Sequence, residues 1–171
     1  MSVETFVQML TSLAGLLDKA QQFAEAKKIE PSVLVNARLA PDMFPFSLQI
    51  GVACVQAKLG TALLCGWDAP QYEPPPATLP ELKAYIEAAV AFVKTATPAD
   101  FEGAEERAIV FPIPVDNLEL ACNGGEFLRD WVLPHFYFHI TTAYDILRHN
   151  GIELSKQDYL GRGRQFIRQR Q

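Results

Sequence analysis

The feature that most constrains this chain is a helical spacing of apolar residues that recurs in four long segments. In the first segment, apolar side chains follow one another at intervals of three or four positions from Phe6 to Ala24, with no proline. This spacing places them on one face of an α-helix. The same analysis predicts long helices over residues 4–28, 43–65, 79–96 and 125–149. Four such helices bury their apolar faces against one another, so the sequence predicts an all-α, antiparallel four-helix bundle.

The faces of the later helices are defined by their apolar residues. They are Leu48, Val52, Val55, Leu59 and Leu63 in the second helix, Leu82, Ile86, Ala89 and Val93 in the third, and Phe136, Ile140, Ala143 and Leu147 in the fourth. Thr78 is the predicted N-cap of the third helix. Pro134, inside the fourth helix, predicts a kink.

One stretch before the last helix departs from the helical period. Residues 107–122 alternate loosely between apolar and polar, and Asp116-Asn117 provides a turn. The pattern predicts a small β-hairpin, which Pro112 confines to an edge position.

The chain is long enough for one domain, which we expect to span residues 1–161. Residues 162–171 hold four arginines and no acid, and are predicted to be a solvated basic tail. The formal net charge of −5 argues against nucleic-acid binding, because proteins of that class carry a basic face.

Several features predict a cytoplasmic protein. The most apolar stretch, Ile50 to Trp67, is not expected to span a membrane because Gln56 and Lys58 lie in its middle. The first ten residues lack the pattern of a secretory signal. The three cysteines include no C-x-x-C pair, and we expect small buried thiols in a reducing compartment.

Two histidines in the fourth helix form the densest chemical constellation. His135 and His139 are four positions apart, so they project from one helix face, next to its apolar side. This arrangement can offer two imidazoles to one metal. His149 lies about 15 Å further along the helix, too far to join them. A third ligand would have to come from another helix.

The second helix offers the polar partners for this pair. Asp42, Gln49 and Gln56 are spaced by seven, and Gln49 interrupts an otherwise apolar run. We expect the histidines to point into the bundle near Gln49 or Asp42, because buried polar groups are costly unless they meet a partner. Asp42 has a second interpretation, as an acid at the start of the helix. The pair itself has three interpretations: a hydrogen-bonded core, a metal site or a metal-free pocket, of which the first is favoured.

The segments RLAPDMFP (38–45), DFEGAEER (100–107) and PHFYFHITTAYDILRHNG (134–151) together resemble an uncharacterised bacterial domain-of-unknown-function family. That family is similar to the DinB/YfiT-like metalloenzyme superfamily. The resemblance covers about Phe6 to Gly161. It implies a four-helix bundle, often dimeric, that holds a divalent metal with one histidine from the second helix and two from the last.

This sequence keeps only part of that implied ligand set. His135 and His139 match the pair on the last helix, but no histidine precedes His135. Two hypotheses follow. The first is a degenerate metal site in a dimeric protein that is non-catalytic or binds a small ligand, with Asp42, Gln49, Tyr137 and Tyr144 lining the pocket. The alternative is a metal-dependent hydrolase or transferase, in which His135 and His139, with Gln49 or Asp42 as the third ligand, hold zinc, nickel or iron.

Overall fold

The protein is described by a computed structural model over residues 2–113 and 118–168. In chain order its elements are α1 (Ser2–Lys27), α2 (Pro31–Val35), α3 (Phe46–Cys65), α4 (Leu79–Val93), a 3₁₀ turn (Pro98–Phe101), β1 (Ala108–Ile113), β2 (Leu118–Asn123), α5 (Gly124–Glu126), a π-helical turn (Phe127–Val132), α6 (Leu133–His149), α7 (Lys156–Leu160) and a second 3₁₀ segment (Gly161–Phe166). The expected mostly helical fold with one small hairpin is confirmed.

The long helices pack in pairs around one apolar core. α1 lies against α4, and α3 lies against both α4 and α6. The apolar faces predicted for the first, third and fourth helices are buried. Thr78 caps α4 as predicted, because its hydroxyl accepts the amide N–H of Glu81.

The predicted face of the second long helix is wrong. Leu48, Val52, Val55, Leu59 and Leu63 are only half-buried. The buried side of α3 consists mostly of small residues such as Ala53, Ala57 and Gly60, together with Gln49 and Gln56. Small side chains let the helix axes approach closely, and a Cβ on Gly60 would lie 2.7 Å from Val132 Cγ1. The glutamines therefore belong to the interior.

The start of α3 is also later than predicted. The helix begins at Phe46, with Pro45 at the N-cap. Asp42 lies exposed in a preceding turn, so it is neither an N-cap nor a first-turn acid. The physical reason is Pro45, which forces the residue before it out of helical geometry.

The hairpin is antiparallel, with its register running from Ala108 opposite Asn123 to Ile113 opposite Leu118. The predicted Asp116-Asn117 turn lies outside the described residues. A π-helical turn follows the hairpin, and the N–H of Leu133 bonds five residues back to the carbonyl of Leu128. Immediately before Pro134, where the sequence predicts a kink, the helix shifts its hydrogen-bond register, and this proline lacks an N–H.

α3 is also long and apolar enough to cross a membrane, but 67% of its most apolar window is buried inside the fold. It is the core helix of a soluble globular protein. Cys54 and Cys65, both on α3, are buried and unpaired as expected, whereas Cys122 is half-buried.

Candidate functional site

The functional side chains lie where α3 crosses α6. Gln49 contacts His139, and Gly60, further along α3, contacts Val132, earlier in the chain than α6. The two helical stretches therefore run antiparallel. Gln49 is only 1% exposed, and its Oε1 lies 2.6 Å from His139 Nδ1. The predicted meeting of the polar interruptions on the two helices is present.

The hydrogen bonds of Gln49 define the state of His139. The side-chain Nε2 of Gln49 donates to the carbonyl of Phe44 at 3.0 Å, which leaves Oε1 facing the imidazole. An amide oxygen can only accept, so Nδ1 of His139 carries the proton and donates it. The other ring nitrogen, Nε2, keeps its lone pair. Gln49 therefore orients His139 and fixes its tautomer.

His135 sits one turn earlier in a less satisfied environment. Its ring packs edge-on against Trp131, with ring centroids 4.4 Å apart. Nδ1 of His135 and Nε1 of Trp131 are both buried, and neither has a hydrogen-bond partner among the described residues. Each such atom loses its hydration without compensation, at about 1–3 kcal/mol. Unlike His139, His135 is held by packing rather than by hydrogen bonds.

Both imidazoles are neutral at physiological pH. Burial, followed by repulsion from a charge on His135, lowers the pKa of His139 to about 4. Burial also lowers the pKa of His135. Desolvation penalises the charged imidazolium, and no acidic side chain of the described residues is among the causes of either shift.

A shallow depression of about 230 Å³ opens over Gln49 and His139. It is lined by Asp42, Met43, Phe44, Gln49, Phe138 and His139. The ring of Phe44 stacks on His139 with centroids 6.5 Å apart, and that of Phe138 stands perpendicular to it at 5.2 Å. Their exposed fractions, 51% and 55%, are large for phenylalanines. The site thus has aromatic walls that face solvent.

Comparison with known proteins gives the family. Residues 1–160 match a family described as a domain of unknown function, DUF1993. The chain belongs to the DUF1993 family. A solved structure similar to this DUF1993 protein is that of a DinB family member protein from Shewanella denitrificans. The two share 42% identity over 93% of this chain and 89% of the other, with a TM-score of 0.85. No curated protein matches the chain. The resemblance predicted from sequence is confirmed.

The metal that DinB-like relationships imply does not fit these side chains. Two imidazoles on one tetrahedral zinc hold their ring centres about 5 Å apart, whereas those of His135 and His139 are 6.5 Å apart. Gln49, the predicted third ligand, already uses its oxygen to accept the Nδ1–H of His139. Within residues 2–113 and 118–168, no three His, Cys, Asp or Glu side chains converge to hold a metal ion. The structure of this DUF1993 member offers a hydrogen-bonded pair in place of a coordination sphere.

The structure separates the predicted pocket residues into two groups. Asp42 and Gln49 both line the depression, but Tyr137 and Tyr144 do not. Tyr137 packs on Phe136, and Tyr144 packs edge-on against Tyr159 with centroids 6.0 Å apart. The two tyrosines are corrections to the predicted pocket, because helical spacing directs them away from the His139 side of α6.

Sequence reasoning missed the two phenylalanines of the depression. Neither Phe138 nor Phe44 is among the pocket residues that the sequence predicts. The available signal for Phe138 was its position beside His139 and outside the apolar stripe of α6, which predicts a residue at the edge of the buried face.

Two of the sequence motifs that carry the resemblance contribute structural arginines. Arg38 donates to the carbonyl of Met43, which fixes the loop bearing Asp42 and Phe44. Arg107 donates to the carbonyls of Leu64 and Glu102. The first arginine positions the rim of the site, and the second caps the far end of α3.

Proposed function

We propose that this DUF1993 protein is a non-catalytic, metal-independent member of the DinB-like four-helix bundles. It binds a small ligand in the depression over Gln49 and His139 and works as a cytoplasmic homodimer. The single observation that carries the proposal is the hydrogen bond from His139 to Gln49. It connects α6 to Gln49 of α3. In the superfamily that the chain resembles, the helix corresponding to α3 supplies the third histidine ligand.

The charge state of the site supports a binding role. A base with a pKa of about 4, as for His139, removes protons poorly near neutral pH. Burial raises the pKa of the Cys54 thiol to about 12 and that of Cys65 to about 11, so neither supplies a thiolate. These groups suit hydrogen bonding better than proton transfer or nucleophilic attack.

Exposed apolar side chains support the homodimer. Outside the depression, Val33, Leu39 and Val110 expose 55%, 40% and 61% of their surface. An isologous interface would cover such residues twice, once on each subunit. The net charge of −5 and the buried α3 support the absence of nucleic-acid and membrane partners.

A metal-dependent hydrolase or transferase is the second candidate. One observation favours it: histidines that bind zinc, nickel or iron through Nε2 usually donate Nδ1–H to a carbonyl, as His139 does to Gln49. In that case His135 would move to complete the site and Asp42 would be the third ligand.

NMR of the uniformly ¹⁵N-labelled protein distinguishes the two candidates. The imidazole of His139 should show the neutral Nδ1–H tautomer, and zinc or nickel should leave its ring nitrogens unshifted. A diverse fragment library should contain compounds that shift the side-chain amide of Gln49. Stoichiometric metal shifts at His139 Nε2 would refute the metal-independent proposal, and a library without effect on Gln49 would refute the binding role.

A further inference from the structure

The depression over His139 presents mainly hydrogen-bond acceptors to a ligand. The amide of Gln49 is almost fully buried and is turned towards its partners, since it donates one N–H to the carbonyl of Phe44 and accepts from His139. His139 donates its one N–H to Gln49, so its Nε2 offers only a lone pair to a ligand. The carboxylate of Asp42 adds two further acceptor oxygens.

The charge of the lining side chains has one sign. Asp42 is the one lining residue that is charged at neutral pH, because burial keeps His139 neutral. Arg38 is engaged with the carbonyl of Met43 and does not line the depression. An anionic ligand would therefore meet the Asp42 carboxylate with no lining cation to compensate it.

The aromatic walls add a third preference. Phe44 and Phe138 flank the imidazole and are more than half exposed. The face of a phenyl ring attracts cations by about 0.5–1 kcal/mol at exposed sites. Acceptors, a carboxylate and aromatic faces together favour an N–H donor that carries positive charge and an apolar body.

We infer that the ligand of this site is a small organic ammonium ion. Its N–H groups bind the Asp42 carboxylate and Nε2 of His139, and its apolar part lies against Phe44 and Phe138. The inference rests on the proposed small-ligand function and names the class of that ligand. A neutral alcohol of the same shape satisfies the acceptors but loses the charge pairing, so it binds less tightly.

The test compares benzylamine, which is protonated at pH 7.5, with benzyl alcohol, its neutral counterpart. Titrations followed by NMR at the Gln49 side-chain amide and the His139 ring give both dissociation constants. Benzylamine should bind about five to ten times more tightly. Asp42→Asn should remove most of that preference. Asp68→Asn, which changes another exposed aspartate outside the depression, should leave it unchanged.

Each contradicting outcome has a distinct meaning. Equal affinities for both compounds, with shifts at Gln49, would overturn the ammonium class and leave the small-ligand function standing. A preference that survives Asp42→Asn would overturn the role of this carboxylate and the inference with it. If benzylamine shifts neither signal while a library fragment does, the inference fails alone. If no fragment shifts Gln49, the proposed function fails too.

Discussion

Acid should destabilise this protein through one identifiable group, His139. In the folded state burial and the neighbouring His135 lower its pKa to about 4, against 6.5 for an exposed histidine. Between pH 6.5 and pH 4, the unfolded chain therefore binds a proton at His139 that the folded chain does not bind. The contribution of His139 to the free energy of unfolding is complete above pH 6.5 and is lost as the pH falls towards 4.

The size of the effect follows from these pKa values. A pH of 5 lies 1.5 units below the pKa of 6.5 of the unfolded histidine, and this difference corresponds to about 2 kcal/mol. Since His139 keeps some contact with solvent, we expect about 1–2 kcal/mol between pH 7.5 and pH 5. Urea unfolding at the two pH values, followed by circular dichroism, measures the loss.

His139→Phe provides the control, since it keeps an aromatic ring and removes the titration. The variant should lose about 1–2 kcal/mol less than the wild type over the same pH interval, because the remaining carboxylates and His135 are present in both proteins. Equal losses in the two proteins would refute the assignment of a buried neutral imidazole at position 139.

Three further outcomes test the packing, the site and the assembly. Gly60→Ala should cost about 1–3 kcal/mol in denaturant unfolding, because its Cβ would lie 2.7 Å from Val132 Cγ1, whereas Gly15→Ala, with nothing within 4 Å, should be neutral or stabilising by up to about 1 kcal/mol. Equal costs would contradict the close approach at Gly60. A double-mutant cycle of Gln49→Leu and His139→Phe should give a coupling energy of about 1–2 kcal/mol, and a value near zero would deny their hydrogen bond. Light scattering at micromolar concentration should give a dimer, and a monomer would remove that proposal.

The sequence predicts a helix face well where large apolar side chains alternate with polar ones. The stripe from Phe6 to Ala24 in α1 and the stripe of α4 are of this kind, and both are buried. α3 differs because it is apolar on nearly every side. There several large residues, such as Leu59, lie on the outer side, and the inner side consists mostly of small residues that allow close packing. Side-chain size, which hydrophobic periodicity ignores, decides the orientation.

The contact between Gln49 and His139 could be predicted because each is a polar residue that interrupts or borders an apolar face, and burial demands a partner. The aromatic walls formed by Phe44 and Phe138 could not be predicted in this way. Phe44 lies in a loop whose course depends on Arg38, and loop geometry carries no periodic signal. Tyr137 and Tyr144 are predicted to line the pocket, although their spacing from His139 places them on another side of α6.

The C-terminal region contains a short helix, α7, that is not among the four predicted helices, although the sequence signals its start. α7 lies within the predicted domain and packs on α1, where Lys19 pairs with Asp158 at 2.7 Å. Its start is a capping box. The backbone N–H of Ser155 donates to the carboxylate of Asp158, and the hydroxyl of Ser155 accepts from a backbone N–H of the first turn. An S-x-x-D spacing predicts such a helix start. Ordered structure continues through Phe166, beyond the predicted boundary at residue 161.

Metal content tests the central claim most directly. The protein and its His139→Phe variant would be purified without an affinity tag and assayed for zinc, nickel and iron by inductively coupled plasma mass spectrometry. The account predicts the same substoichiometric trace in both proteins, because the ring centres of His135 and His139 lie 6.5 Å apart and the oxygen of Gln49 is engaged with His139. About one equivalent of metal in the wild type, lost in His139→Phe, would contradict it.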